Sequence, residues 1–149
     1  MSILIDKHTR VLIQGLTGKQ GRKISLEMVD YGTHVVGGVT PGKGGGTVSG
    51  LPVYNTVAEA VRAHPEINTS LVSVPREATK AAALEALACD RIKLVNILTE
   101  GVPRRDAAEI VQAARKRGTR VLGPASIGII APNERVKVGA IGGNDPGVF

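Results

Sequence analysis

Val11-Leu12-Ile13-Gln14-Gly15-Leu16-Thr17-Gly18-Lys19-Gln20-Gly21 decides how this chain is read. A short run of β-forming residues meets glycines spaced Gly-x-x-Gly-x-x-Gly, and a helical pattern from Arg22 to Val29 follows at once. The order is strand, tight turn, helix. In such a unit the first glycine lets the chain leave the strand sharply, the second lets backbone approach a ligand, and the third lets the helix pack on the sheet. The helix then turns its free N–H groups and positive dipole end toward the turn, where phosphate oxygens are favoured. Without a ligand the same pattern is only a compact strand-to-helix connection, so the rest of the chain must arbitrate.

At 149 residues the chain suits one domain, able to bury about 68–70% of its unfolded surface. The aromatics are Tyr31, Tyr54 and Phe149, with no tryptophan, which argues against base stacking on aromatic platforms. Nineteen Lys and Arg against thirteen Asp and Glu leave a net charge of +6. The cations are dispersed, and the densest group, Arg115-Lys116-Arg117, ends an expected helix where it complements the dipole. The charge alone leaves nucleic acid, a membrane surface or an anionic small molecule as partners, and the lack of a basic stripe and of aromatics weighs against nucleic acid. The single Cys89 excludes an internal disulfide and reads as a small buried hydrophobe in an alanine-rich helix. No apolar run approaches ~18 residues and the N-terminus lacks a signal-peptide pattern, so the expectation is a soluble, cytoplasmic protein.

Strands are expected at Thr9 to Gly15, His34 to Val39, Ser70 to Val74, Lys93 to Leu98 and Arg120 to Gly123, with a brief extended piece at Leu51 to Tyr54. Between them lie helical patterns at Gly18 to Asp30, from Val57 to near Pro65 behind a Thr56 cap, at Glu77 to Cys89 with Ala81, Ala82, Leu84 and Leu87 toward the sheet, and at Arg104 to Arg117, closed by Gly118. This alternation predicts an α/β, Rossmann-like, doubly wound and mainly parallel sheet of about five to seven strands with helices on both faces. Residues 124–149 read as a C-terminal extension or linker, in which Val136 to Ile141 can add a strand before the Gly142 to Phe149 tail.

Ligands on such sheets sit outside the carboxyl ends of the strands. Here those ends are the glycine turn, Thr40 to Thr47, Pro75, and Leu98 to Glu100. An NAD site of this type places an acid after the second strand to hold the ribose. Instead the chain has Val39-Thr40-Pro41-Gly42-Lys43-Gly44-Gly45-Gly46-Thr47, with no acid and one lysine. Glycine N–H groups and the Lys43 ammonium suit a phosphate monoester, which favours NADP or coenzyme A over NAD.

Taken together, Gln14 to Gly21, Val36 to Gly45, Gly50 to Ala60, Leu98 to Pro103 and Gly123-Pro124 resemble, in order and spacing, the N-terminal CoA-binding domain of the succinyl-CoA synthetase alpha subunit. The resemblance implies that Thr17, Gly18, Lys19, Gln20, Lys43, Leu98, Thr99 and Glu100 contact CoA, and Pro75 joins them as a strand end. It further implies a nucleoside-diphosphate-forming acid-CoA ligase. Its phosphohistidine would lie in a second alpha-subunit domain outside these residues, and nucleotide and Mg²⁺ on a beta-type subunit. His8, His34 and His64 match no phosphoryl-acceptor motif, so no catalytic residue and no metal ligand are expected in this stretch. Gly123-Pro124-Ala125-Ser126-Ile127-Gly128 departs from the Gly-Pro-Asn-Cys-Pro-Gly of that family, and Val138 to Gly143 also resembles ATP-citrate lyase and citryl-CoA synthetase. The acid substrate stays open, and a stand-alone CoA or dinucleotide-binding module without chemistry is the alternative.

Overall fold

The structure, a computed structural model, describes residues 2–143; the end of the linker-like tail, 144–149, lies outside the described residues. Strand β1 (Arg10–Gln14) leads through the glycine turn into helix α1 (Lys19–Tyr31), followed by β2 (His34–Val39), β3 (Thr47–Val48), β4 (Leu51–Tyr54) and α2 (Val57–Ala63). The second half runs β5 (Thr69–Val72), α3 (Arg76–Leu87), β6 (Leu94–Ile97), α4 (Arg104–Arg117), β7 (Arg120–Leu122), β8 (Gly128–Ala131) and β9 (Val136–Gly139). Seven strands form one sheet in the order β3-β4-β2-β1-β5-β6-β7, parallel except for the edge pair β3–β4. The Rossmann-like α/β expectation holds.

The caps follow the local chemistry. Thr56 accepts a hydrogen bond from the Glu59 N–H and starts α2, while Gly118 stops α4 in the left-handed region at φ 68°. Winding left from β1 to β2 and right from β4 through β7 puts α1 alone on one face and α2, α3 and α4 on the other, because each crossover is right-handed. On the three-helix face Leu12, Val72, Val95 and Ile97 meet Val57, Ala60, Ala83, Leu87 and Ile110. On the opposite face Val11, Ile13 and Leu71 meet Ile24 and Met28 of α1 together with Val136 and Val138.

That last contact changes the reading of the C-terminal stretch. Strands β8 and β9 form an antiparallel hairpin that lies beside α1 and covers the part of the sheet it leaves bare. Residues 128–139 therefore belong to the core, not to a linker. Lys137 of this hairpin is buried and donates through Nζ to the carbonyls of Ile141 and Gly143 at 3.1 and 2.6 Å; its burial lowers the pKa, against the pull of Glu27.

Two smaller expectations are corrected. On helix α3 Leu87 is buried and Ala82 and Leu84 pack partly buried against the core as expected, but Ala81 is exposed, and Thr79, Ala83 and Ala86 are buried in its stead, a phase that a run of alanines does not reveal. Cys89 stands beyond the helix end and is half-buried. The two-residue strand β3 has no sequence signal of its own; β4 supplies its partner.

Asn96 interrupts the apolar run of β6. It is fully buried, and neither Oδ1 nor Nδ2 has a hydrogen-bond partner among the described residues. Leaving a buried amide unsatisfied costs about 1–3 kcal/mol. Asn96→Leu is accordingly expected to raise stability by about 1–2 kcal/mol in urea unfolding; a fall would show that the amide has a partner in solution.

Candidate functional site

The direction of winding reverses between β1 and β5, and the carboxyl ends of these neighbours open the crevice where sheets of this kind take ligands. Gly15 leaves β1 at φ 97°, and its N–H donates to the Val39 carbonyl of β2 at 2.9 Å. A Cβ on Gly15 would overlap the Ser73 carbonyl oxygen across the crevice, and a Cβ on Gly21 would overlap the Gly15 carbonyl. The first and third glycines are thus demanded by backbone packing. Gly18 is not: it has φ −70°, and a Cβ there would meet only the Gly15 oxygen at 3.4 Å. It is exposed at the N-cap of α1, which has no side-chain cap. The first-turn N–H groups of Lys19, Gln20 and Gly21 therefore have no intrahelical acceptor.

The second strand end is fastened to this turn. Thr17 and Thr40 share a hydrogen bond between their hydroxyls at 3.1 Å, and the Thr40 N–H donates to the Tyr54 carbonyl of β4. The glycine loop that follows does not offer a row of open N–H groups, which corrects the sequence reading. Lys43 N–H donates to the Thr40 carbonyl, Gly45 N–H to the Val53 carbonyl, and both Gly42 and Gly44 N–H to Asn55 Oδ1 at 2.9 Å. What the loop presents outward is the Lys43 side chain, exposed and without an ion pair among the described residues.

On the other side of the turn lies a cleft of about 420 Å³ lined by Gln20, Val74, Leu98, Thr99, Glu100, Ala125, Ile127 and Ala140. Ser73 Oγ donates to Gln20 Oε1 at 3.2 Å, and Thr99 Oγ1 donates to the Val74 carbonyl at 2.8 Å, so the ends of α1, β5 and β6 are held together. Ala125, at φ 59°, donates its N–H to the Thr99 carbonyl. Ile127 is 61% exposed at the rim, whereas Ile129 and Ile130 are half-buried in the hairpin. Pro75 is exposed at the N-cap of α3, outside the cleft lining. Next to it the Glu77 carboxyl is held below its ordinary pKa, first by a hydrogen bond from its own backbone N–H and then by Arg76.

Thr17, Gly18, Lys19 and Gln20 thus stand together on one turn, Leu98, Thr99 and Glu100 at the cleft beside it, and Lys43 on the far side. Four strand spacings separate β2 from β7, roughly 19 Å across the site. His8, His34 and His64 line none of it; His64 instead pairs with the Tyr54 hydroxyl at 2.8 Å. A larger groove of about 530 Å³ between α2 and α3, lined by Val57, Val61 and Cys89 among others, lies on the helical face away from the strand ends. Sequence reasoning gave no role to Asn55, Ala125 or Ala140. Asn55 carried a faint signal, standing just before the Thr56-x-x-Glu59 cap; Ala140 carried none.

A parallel sheet with a glycine turn at its switch point and a cation in place of the ribose acid defines a nucleotide-binding α/β domain. Residues 6–101 match the family described as CoA binding domain, and the chain belongs to that family. It is 47% identical over 141 residues to the succinate-CoA ligase [ADP-forming] subunit alpha 1 of Archaeoglobus fulgidus, spanning 95% of this chain and 47% of that protein. Against the malate-CoA ligase subunit alpha of Methylorubrum extorquens it is 45% identical, over 90% of this chain and 46% of the other. The chain spans about half the length of these curated relatives. Among solved structures, ATP citrate lyase from Methanothrix soehngenii in complex with citrate and coenzyme A superposes with a TM-score of 0.82 at 25% identity, covering 95% of this chain and 24% of that one. No helix among the described residues is long and apolar enough to cross a membrane.

Proposed function

We propose that this chain binds coenzyme A across the carboxyl ends of its strands and presents the thiol end at the cleft, as the CoA-binding part of a nucleoside-diphosphate-forming acid-CoA ligase of the alpha-subunit type. The observation that carries this is Gly18. Its backbone conformation and surroundings admit a side chain, so the space above it is left open for something outside the chain, and the uncapped α1 N-terminus beneath it favours a diphosphate. The fit extends both ways. Lys43 stands where the 3′-phosphate of the adenosine would fall, and Gln20, Leu98, Thr99 and Glu100, with Pro75 beyond, line the way a pantetheine arm would take. The width of the site, roughly 19 Å, suits an extended ligand of that length.

Relatives about twice as long that are named ligase subunits support the reading that the acid, the nucleotide and the phosphoryl acceptor are handled by further domains or a beta-type subunit. Succinate is the first acid to test, with malate and citrate after it.

The affinity for CoA is expected to exceed that for dephospho-CoA, measured by calorimetry on the 149-residue chain. Lys43→Ala removes a charge-assisted hydrogen bond to the 3′-phosphate and should cost about 1.5–3 kcal/mol with CoA, and nearly nothing with dephospho-CoA. Equal binding of both ligands by the unaltered protein would move the phosphate away from Lys43.

A further inference from the structure

Lys43 alone does not explain why its loop holds one shape. Gly42 and Gly45 turn it at φ 81° and 92°, conformations open to glycine in the unfolded chain as well. From Thr40 to Gly45 the loop's own backbone contributes only the bond from Lys43 N–H to the Thr40 carbonyl, before Gly45 reaches Val53. Thr40 is tied at the loop's start to Thr17 and to the Tyr54 carbonyl; between it and Gly45, among the described residues, the anchor from outside the loop is Asn55 Oδ1, which accepts from Gly42 and Gly44 on either side of Lys43. Gly44 is pressed onto that amide so closely that a Cβ there would lie 2.6 Å from Asn55 Nδ2 and 2.7 Å from Cγ.

Asn55 is itself held. Its N–H donates to Glu59 Oε2 at 3.0 Å, and Glu59 is fixed by its own N–H donating to Thr56 Oγ1 at 3.1 Å. A line of contacts therefore runs from the N-terminus of α2 through Asn55 to the N–H groups of Gly42 and Gly44, the residues on either side of Lys43. The residue type suits the task. Its carbonyl is short enough to reach both donors and carries no charge, whereas an aspartate would set a negative group beside the ammonium and any phosphate it meets.

We propose that Asn55 is a positioning residue for the CoA site: it fixes the place of the Lys43 ammonium and so governs discrimination for the 3′-phosphate without touching the rest of the ligand. This rests on the reading that CoA lies across the strand ends with its 3′-phosphate at Lys43.

The test is calorimetry of the full chain with CoA and with dephospho-CoA, for the unaltered protein, Asn55→Ala, Lys43→Ala and the double variant, each checked for native circular dichroism. Asn55→Ala should lower CoA affinity roughly 5–20-fold while dephospho-CoA affinity stays within about twofold, and the double variant should match Lys43→Ala, because residues acting through one contact are not additive. Loss on both ligands alike would make Asn55 a general support of the fold and overturn the proposal, as would full additivity or no effect. A protein that fails to bind CoA, or binds both ligands equally before any substitution, overturns the underlying reading instead. In the series with the unaltered protein discriminating, only the role of Asn55 is at stake.

Discussion

Gly18→Val is expected to abolish CoA binding while leaving the fold native, a loss of more than roughly 100-fold in affinity, since the added side chain takes the volume into which a diphosphate must descend to reach the helix N–H groups. The fold should tolerate it because Gly18 has the extended conformation of an ordinary N-cap, φ −70° and ψ 159°, with only the Gly15 oxygen near, at 3.4 Å. Circular dichroism and the unfolding midpoint serve as controls, and calorimetry with CoA is the readout. Gly18→Ala should lose less, in proportion to the volume added. A folded valine variant that binds as before would reduce the turn to a structural connection and remove the main support for the function proposed above.

Gly15→Ala should do the reverse and cost stability directly, by about 3–5 kcal/mol. Two penalties act at one position. The φ of 97° is disfavoured for any residue with a Cβ, and that Cβ would be driven into the Ser73 carbonyl oxygen across the crevice. Relief requires β1 and β5 to separate where Ser73 N–H donates to the Gln14 carbonyl at 2.9 Å, in the middle of the sheet. Urea unfolding measures the loss, and saturating CoA should recover part of it by mass action. A urea midpoint indistinguishable from that of the unaltered protein would show that the crevice opens more easily than its hydrogen bonds imply. The pair of substitutions, three residues apart on one turn, separates the glycine that serves the backbone from the one that serves the ligand.

That separation was only half readable beforehand. The spacing of Gly15, Gly18 and Gly21 announced a strand-turn-helix unit because each glycine in such a unit has a stereochemical reason, and the structure supplies that reason for the first and third. The alternation of strands and helical patterns announced a mainly parallel sheet with helices on both faces, since parallel neighbours need crossover connections. Lys43 was visible as a cation without a nearby acid. The loop around it was misread: counting glycines suggests open N–H groups, but whether an N–H is open depends on what accepts it, and the acceptor, Asn55, lies 11 to 13 positions further along.

Local sequence, then, determined the elements, their order, the glycine turn and the charge beside it, because periodicity, capping and backbone sterics act over a few neighbouring residues. Only the tertiary structure decided that residues 128–139 form a hairpin in place of a linker, that Ala125 and Ala140 meet Glu100 at one cleft, and that Gly42 and Gly44 direct their N–H groups inward. Val136 and Val138 look the same in a loose tail as in a core, and their burial comes from the sheet surface that α1 leaves uncovered. The physical reason is common to all three: hydrophobic burial is non-directional, and a hydrogen-bond donor carries no local mark of its acceptor, so their partners are assigned by how the whole chain packs.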